Sequence, residues 1–157
     1  MTEKTAAIVL RSIKYGDSSL IVTCYTKCCG LKTYLLKGIL KAKRSKIKPA
    51  HFQALTQLNI AANHNNKGSL NHIREVEVGY RYNDIHTLIT KQTIALFIGE
   101  VLFSAIREEE QNSDLYYYIE TGLLWLDTHD SISNVHLHFL LNLSRYLCFY
   151  TKNENFK

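Results

Sequence analysis

Between Lys37 and Ala50 the chain reads K-G-I-L-K-A-K-R-S-K-I-K-P-A, with six cations (Lys37, Lys41, Lys43, Arg44, Lys46 and Lys48) in twelve residues and no acid among them. Lysine and arginine at this density hold phosphate oxygens, by point charge or by a fork of N–H donors. Binding of that kind is driven by counterion release, so it weakens with salt. About four phosphate contacts to a single strand give a log–log slope near −3. Lysines without a matching set of base-reading side chains predict little sequence preference. Arg11 and Lys14 flank the first turn and extend the same surface if the fold brings them near. Tyr15, Tyr25 and Tyr34 are candidates for stacking on bases.

Charge along the chain points the same way. Residues 1–60 hold eleven Lys/Arg against Glu3 and Asp17, a balance of +9; residues 61–157 hold eight against twelve acids, a balance of −4, and the two sum to the net +5. A cationic first part favours a polyanionic partner.

Other chemistry finds little support. No P-loop, nucleophile elbow, H-E-x-x-H or dinucleotide fingerprint occurs, so an enzyme is not expected and no cofactor is implied. His136 and His138 are two apart on an expected helix and point in different directions, unlike the i, i+4 pair of a metal site. Glu108 to Glu110 read as a solvated helix end. Cys24, Cys28, Cys29 and Cys148 lack the paired C-x-x-C spacing of a structural zinc site, and are expected to be free thiols with no metal among them.

The elements that must carry the basic stretch are short strands. Thr5–Ile13, Leu20–Tyr25 and Leu31–Leu36 are strands joined by turns at Tyr15-Gly16-Asp17-Ser18 and Cys29-Gly30. Beyond the basic loop, which the only proline (Pro49) closes, 51–62 alternates Phe52, Ala54, Thr56, Leu58 and Ile60 and reads as a fourth strand. A loop at 64–68 leads to a fifth, 70–80. Five short strands in about 80 residues suggest a small barrel, which removes sheet edges. The OB-fold fits the count.

After Tyr82 the period becomes helical. Asn83 or Asp84 is expected to cap a first helix, apolar on most sides (I-A-L-F-I-G-E-V-L-F-S-A-I) and therefore buried between other elements. Asn112 or Ser113 starts a second helix with Leu115, Ile119, Leu123, Trp125 and Leu126, and a third covers 134–150. The fold class is thus α+β, an N-terminal five-stranded OB-fold over 1–80 followed by an all-α domain over 81–157. Tyr116, Tyr117, Tyr118 and Trp125 add apolar surface that could be core or a groove for a partner peptide. No eighteen-residue apolar run appears and M-T-E-K-T lacks a signal peptide's apolar core, which predicts a cytoplasmic, nucleoid-associated protein with no membrane contact.

These residues, in order, resemble the RecO family of bacterial DNA repair proteins, the recombination mediators. The resemblance lies in T-A-A-I-V-L-R-S-I-K-Y-G-D-S-S-L-I-V-T, in G-L-K-T-Y-L-L-K-G with the basic residues after it, in I-A-L-F-I-G-E-V-L with R-E-E-E-Q-N-S-D-L-Y, and in H-F-L-L-N-L-S-R-Y-L-C-F-Y. It implies an OB-fold that binds single- and double-stranded DNA and a helical domain. It further implies strand annealing, contact with RecR and with the C-terminal tail of single-stranded-DNA-binding protein, and, indirectly, loading of RecA. The DNA-contacting positions it carries over run from Lys37 to Lys48. The family's chains continue past the position of Phe149-Tyr150, often through a four-cysteine zinc module, so this sequence, ending at Lys157, is expected to lack that part. Two other readings stand beside it: a protein-interaction module docking an acidic tail peptide, and an RNA-binding OB-fold protein.

Overall fold

The run A-A-I-V-L in the first strand has no polar alternation because both of its faces are covered. In the computed structural model, which describes residues 2–65 and 70–147, β1 (Thr2–Tyr15) sends Ala7 and Val9 into one apolar cluster and Ile8 and Leu10 into another. Successive strand side chains point to opposite faces, so two cores require a continuous run. Each fully buried aliphatic side chain there contributes roughly 2 kcal/mol.

β1 pairs with β2 (Ser19–Thr26) through residues 7–15 and with β4 (Gln57–Asn63) through residues 2–8. β3 (Gly30–Leu36) lies beyond β2 and β5 (His72–Tyr80) beyond β4, giving the order β3-β2-β1-β4-β5, all antiparallel. The ends of this sheet meet in parallel at Tyr34 and Asn71, where Leu35 N–H donates to Asn71 O (3.0 Å) and Asn71 N–H to Thr33 O (2.9 Å). An antiparallel sheet of five strands curled until its edges touch in parallel is an OB-fold barrel. Its interior holds Val22, Cys24, Tyr34, Leu58 and Ile60.

Three helices follow: α1 (Ile89–Ala105), α2 (Ser113–Thr128) and α3 (Val135–Tyr146). They cover the outer face of β1 and β2, where Ile8, Leu10, Tyr25 and Leu55 join Ile98, Leu102, Leu115 and Ile119. Gly99 lets α1 approach closely, since a Cβ there would lie 3.3 Å from Leu10 O. Asn112, one of the two residues expected to start α2, caps it, its Oδ1 accepting from Leu115 N–H (3.1 Å).

Asp127, near the end of α2, ties the connector to this assembly. Its carboxylate accepts N–H bonds from Asn83 (2.9 Å), Asp84 (2.8 Å) and Ile85 (3.2 Å), and the Tyr80 hydroxyl (3.3 Å). Burial pushes its pKa up, but these donors outweigh burial and hold the carboxyl below the usual carboxylate range. Lys91, also buried, answers with bonds to Asp84 Oδ2 and Asp127 O, both 3.1 Å.

Several expectations need correcting. The first half of the expected fourth strand is a 3-10 turn over Pro49–Phe52, followed by Leu55 at φ 62°. Pro49 fixes φ at the start of that turn, and Leu55 is held by N–H donation to Val9 O (2.7 Å) and by acceptance from the Tyr82 hydroxyl at its carbonyl. Neither Asn83 nor Asp84 caps α1: Asp84 is spent on Lys91, and the helix begins only after Leu88. Nor is α1 buried all round. One stripe (Lys91, Ala95, Ile98, Gly99, Leu102) is buried, while Ile89, Leu96 and Phe97 are exposed, because only one side meets the barrel. Asn66 to Gly68, Cys148, Phe149 and Tyr150 lie outside the described residues.

Candidate nucleic-acid interface

The basic loop is built, at its base, from apolar residues. Ile39 and Phe52 are buried in the barrel interior cluster and Ile47 packs against it, so the 37–52 segment closes the barrel's end. Gly38 takes φ +71°, which turns the chain after β3 at little steric cost. Its N–H donates to Ser19 Oγ (3.1 Å), and Leu40 N–H donates to Ser18 O (2.9 Å). Further on, Ser45 Oγ accepts from Ile47 N–H (3.2 Å), and Lys48 N–H donates to His51 Nδ1 (3.0 Å). Apolar residues thus pin the loop inward and leave the cations between them outside.

All six cations, Lys37, Lys41, Lys43, Arg44, Lys46 and Lys48, are exposed. Among the described residues no ion pair engages any of them: the pairs are Lys32–Glu109, His64–Glu3 and Lys91–Asp84. An unneutralised exposed cluster of this kind focuses positive potential at one end of the barrel.

Lys14 and Arg11, three apart on β1, go opposite ways. Lys14 pairs with Leu20, which pairs with Leu36, the residue before Lys37. Two strand spacings, roughly 10 Å, therefore separate Lys14 from the start of the loop. Arg11 faces the helices, its guanidinium 4.6 Å from the centre of the Phe103 ring. Of the tyrosines proposed to stack on bases, only Tyr15 is exposed (56%). Tyr25 is buried under α2, stacked on Tyr116 (ring centres 6.1 Å), and burial, aided by Glu108, pushes its hydroxyl up to about 12. Tyr34 is buried inside the barrel. Both strand positions are core, Tyr25 because the outer face of β2 meets the helices and Tyr34 because the inner face of β3 meets the barrel interior.

Two of the cysteines differ from the expected free thiols. Cys28 and Cys29 are joined by a disulfide on the β2–β3 turn, because the turn brings the adjacent thiols to one side, against Glu3. Cys24 is free and buried, its thiol pushed up to about 12 by burial. His136 packs edge-on against Phe97. The helices leave an apolar groove of about 330 Å³ between α2 and α3, lined by Tyr118, Gly122, Trp125, Val135, His138 and Phe139. No described helix is long and apolar enough to cross a membrane.

Comparison with known proteins follows this architecture. Residues 1–82 match the model of the family described as "Recombination protein O N terminal" and residues 86–151 that of "Recombination protein O C terminal". The chain belongs to the RecO family. It is similar to the DNA repair protein RecO of Christiangramia forsetii, with 47% identity over 92% of this chain and 61% of the relative. The RecO of Flavobacterium psychrophilum is 45% identical over 99% of this chain and 65% of its own length. That of Phocaeicola vulgatus is 35% identical over 100% and 65%. The chain thus spans somewhat under two thirds of the length of these RecO relatives.

Proposed function

We propose that this RecO-family chain is a non-enzymatic DNA-binding mediator of recombinational repair, whose barrel grips phosphates through the loop of Lys37, Lys41, Lys43, Arg44, Lys46 and Lys48, with Lys14 at its side. One observation carries the reading: six exposed cations, unpaired within the described residues, on a loop that apolar residues anchor to the barrel end. Because the grip is on phosphates, single- and double-stranded DNA are both bound and complementary strands are annealed without sequence preference. Division near Arg81 leaves the barrel, 1–80, for DNA and the helices for proteins: RecR, the acidic tail of single-stranded-DNA-binding protein and, through them, RecA. Fluorescence anisotropy of labelled DNA at two salt concentrations tests it. Affinity should fall steeply with salt and little with sequence; salt-independent binding, or none, would refute it.

The groove beside Trp125 supports a second activity, docking of the apolar end of an acidic tail peptide. Trp125 is the only tryptophan, so its emission reports occupancy directly. A peptide titration that leaves the emission unchanged argues against this seat. Competition between DNA and RNA of one sequence decides whether the barrel prefers either.

A further inference from the structure

Glu3 near the start of β1, Cys28 and Cys29 on the β2–β3 turn, and His64 just past β4 bring a carboxylate oxygen, two sulfurs and an imidazole nitrogen within 4.8 Å of one another. We propose that the reduced form of this cluster is a binding site for one thiophilic divalent cation, Zn²⁺ in kind, at the barrel end opposite the basic loop. The seven residues of β3, a rise of about 20 Å, separate the two ends.

The donor set selects the ion. Two thiolates, one imidazole and one carboxylate suit tetrahedral Zn²⁺ and are poor ligands for Mg²⁺ or Ca²⁺. Bonds of roughly 2.0–2.3 Å give ligand-to-ligand edges of about 3.3–3.8 Å, so small side-chain rotations from the observed spacing complete the tetrahedron.

The imidazole is already oriented for it. His64 has a side chain only 6% exposed; its Nε2 lies 2.7 Å from the Tyr34 hydroxyl and its Nδ1 2.8 Å from Glu3 Oε2. Before metal binds, Nδ1–H donates to Glu3 Oε2 and Nε2 accepts from the Tyr34 hydroxyl; moving the ring proton to Nε2, with the hydroxyl then accepting, turns the Nδ1 lone pair to the cluster without moving the ring. An outer partner that holds the ring in place and can accept its second N–H is characteristic of metal-bound histidine.

The sulfurs are held too. Cys28 N–H donates to Thr5 Oγ1 (3.1 Å) and Cys29 N–H to Thr26 Oγ1 (3.2 Å), while the Thr26 hydroxyl donates to Gly30 O (2.7 Å). Glu3 Oε2 sits 3.2 Å from Cys29 Sγ and 3.8 Å from Cys28 Sγ. Two thiolates and a carboxylate at such distances repel one another; a dication between them turns the repulsion into coordination.

Redox state gates the site, because the disulfide seen here leaves no thiolate to coordinate. A phosphine reductant opens it: phosphorus is oxidised to the phosphine oxide, water supplies the oxygen, and its two protons pass to Cys28 and Cys29. Metal binding then releases those two thiol protons to solvent, so affinity falls as pH falls.

Co²⁺ titration of the phosphine-reduced chain under anaerobic conditions tests the assignment. The expected result is a sulfur-to-cobalt charge-transfer band with intense tetrahedral d–d absorption, saturating at one Co²⁺ per chain and bleached by Zn²⁺. Cys28→Ser/Cys29→Ser should abolish the band, His64→Ala should weaken binding at least 100-fold, and Tyr34→Phe about 10-fold or more. Cys148→Ser and the oxidised chain should give the full band and no band, respectively. Circular dichroism confirms that each variant is folded; should the double serine variant not fold, His64→Ala and Glu3→Gln carry the test. Absence of the band from the reduced chain, or undiminished Co²⁺ affinity in His64→Ala, would overturn the proposal.

Discussion

Replacing Lys41, Lys43 and Arg44 together by alanine isolates the phosphate grip from everything else in the molecule. All three side chains are exposed and make no ion pair within the described residues, so the folded state should be unchanged within about 0.5 kcal/mol. If each neutralises one phosphate of a single strand, each contributes about 0.7 to the slope of log K against log salt. The variant's slope should therefore be shallower by about 2. At 0.1 M salt three such contacts amount to a loss of roughly 100-fold in affinity, shrinking toward none as salt approaches 1 M. Anisotropy titrations of a labelled oligonucleotide over a salt series read both quantities at once. The loss should be equal for homopolymer and mixed-sequence strands, since phosphates carry no base information. An unchanged slope would refute the loop's role even if affinity fell, because a loss without a slope change is not a lost phosphate contact.

Lys14→Ala should cost about 5-fold in DNA affinity at 0.1 M salt by the same arithmetic, whereas Arg11→Ala should leave DNA binding alone and lower stability by about 0.5–1 kcal/mol through the lost Phe103 contact. Equal losses of binding in the two would contradict the opposite-face geometry. Asp127→Asn should destabilise the fold by about 2–4 kcal/mol at neutral pH, since a neutral amide replaces a carboxylate holding three backbone N–H groups. The folded pKa is depressed, so this stabilisation is in full force above the unfolded value of about 4 and is lost as pH falls through the folded pKa; denaturant melts should show the two proteins converging in acid. Gly30→Ala should cost about 3 kcal/mol or more, against about 1 for Gly16→Ala. Both glycines have positive φ, but a Cβ on Gly30 would fall 2.5 Å from Glu110 O and 2.7 Å from Glu108 O, while one on Gly16 meets nothing within 4 Å. Equal costs would show that the 108–110 segment does not dock on β3.

Local chemistry explains what could be read from the sequence and what could not. The strands at β1 to β3 were legible because turn residues, Gly16 and Gly30, fall where the φ values are +62° and +68°. The cap at Asn112 was legible for the same reason: a side-chain oxygen acts on its own neighbours. Alternation at Phe52, Ala54 and Thr56 misled because Phe52 fills the barrel interior while Leu55 fills the cluster outside it, two burials that mimic one face. Asp84 looked like a cap because its partner Lys91 and its rival Asp127 are set only by packing. The same holds for the thiol cluster. Cys28 and Cys29 have the wrong spacing for a site built from one segment, and their companions Glu3 and His64 arrive through strand register, Glu3 opposite Ala62 at the end of β4.

On the proposed reading, the helices also constrain how this barrel meets DNA. An OB-fold commonly presents aromatic residues on the outer face of its second and third strands, where bases stack. Here Tyr25 and Leu31 on that face pack into the helical cluster, and Arg11 beside them is engaged by Phe103. Stacking at Tyr25 would require undocking α2, which exposes Tyr116 and Leu115 to water at a cost of about 4 kcal/mol together, more than the roughly 1–3 kcal/mol that stacking one base returns. The exchange is a net loss, so on the proposed reading the strand follows the barrel's end rather than its face. On that reading contact runs through Lys37 to Lys48, which hold the backbone and leave base edges free. Free base edges are what pairing with a second strand requires. Covering the stacking face and charging the end are, on the proposed reading, complementary features: the first removes a base-stacking mode, and the second supplies a phosphate grip under which annealing can proceed.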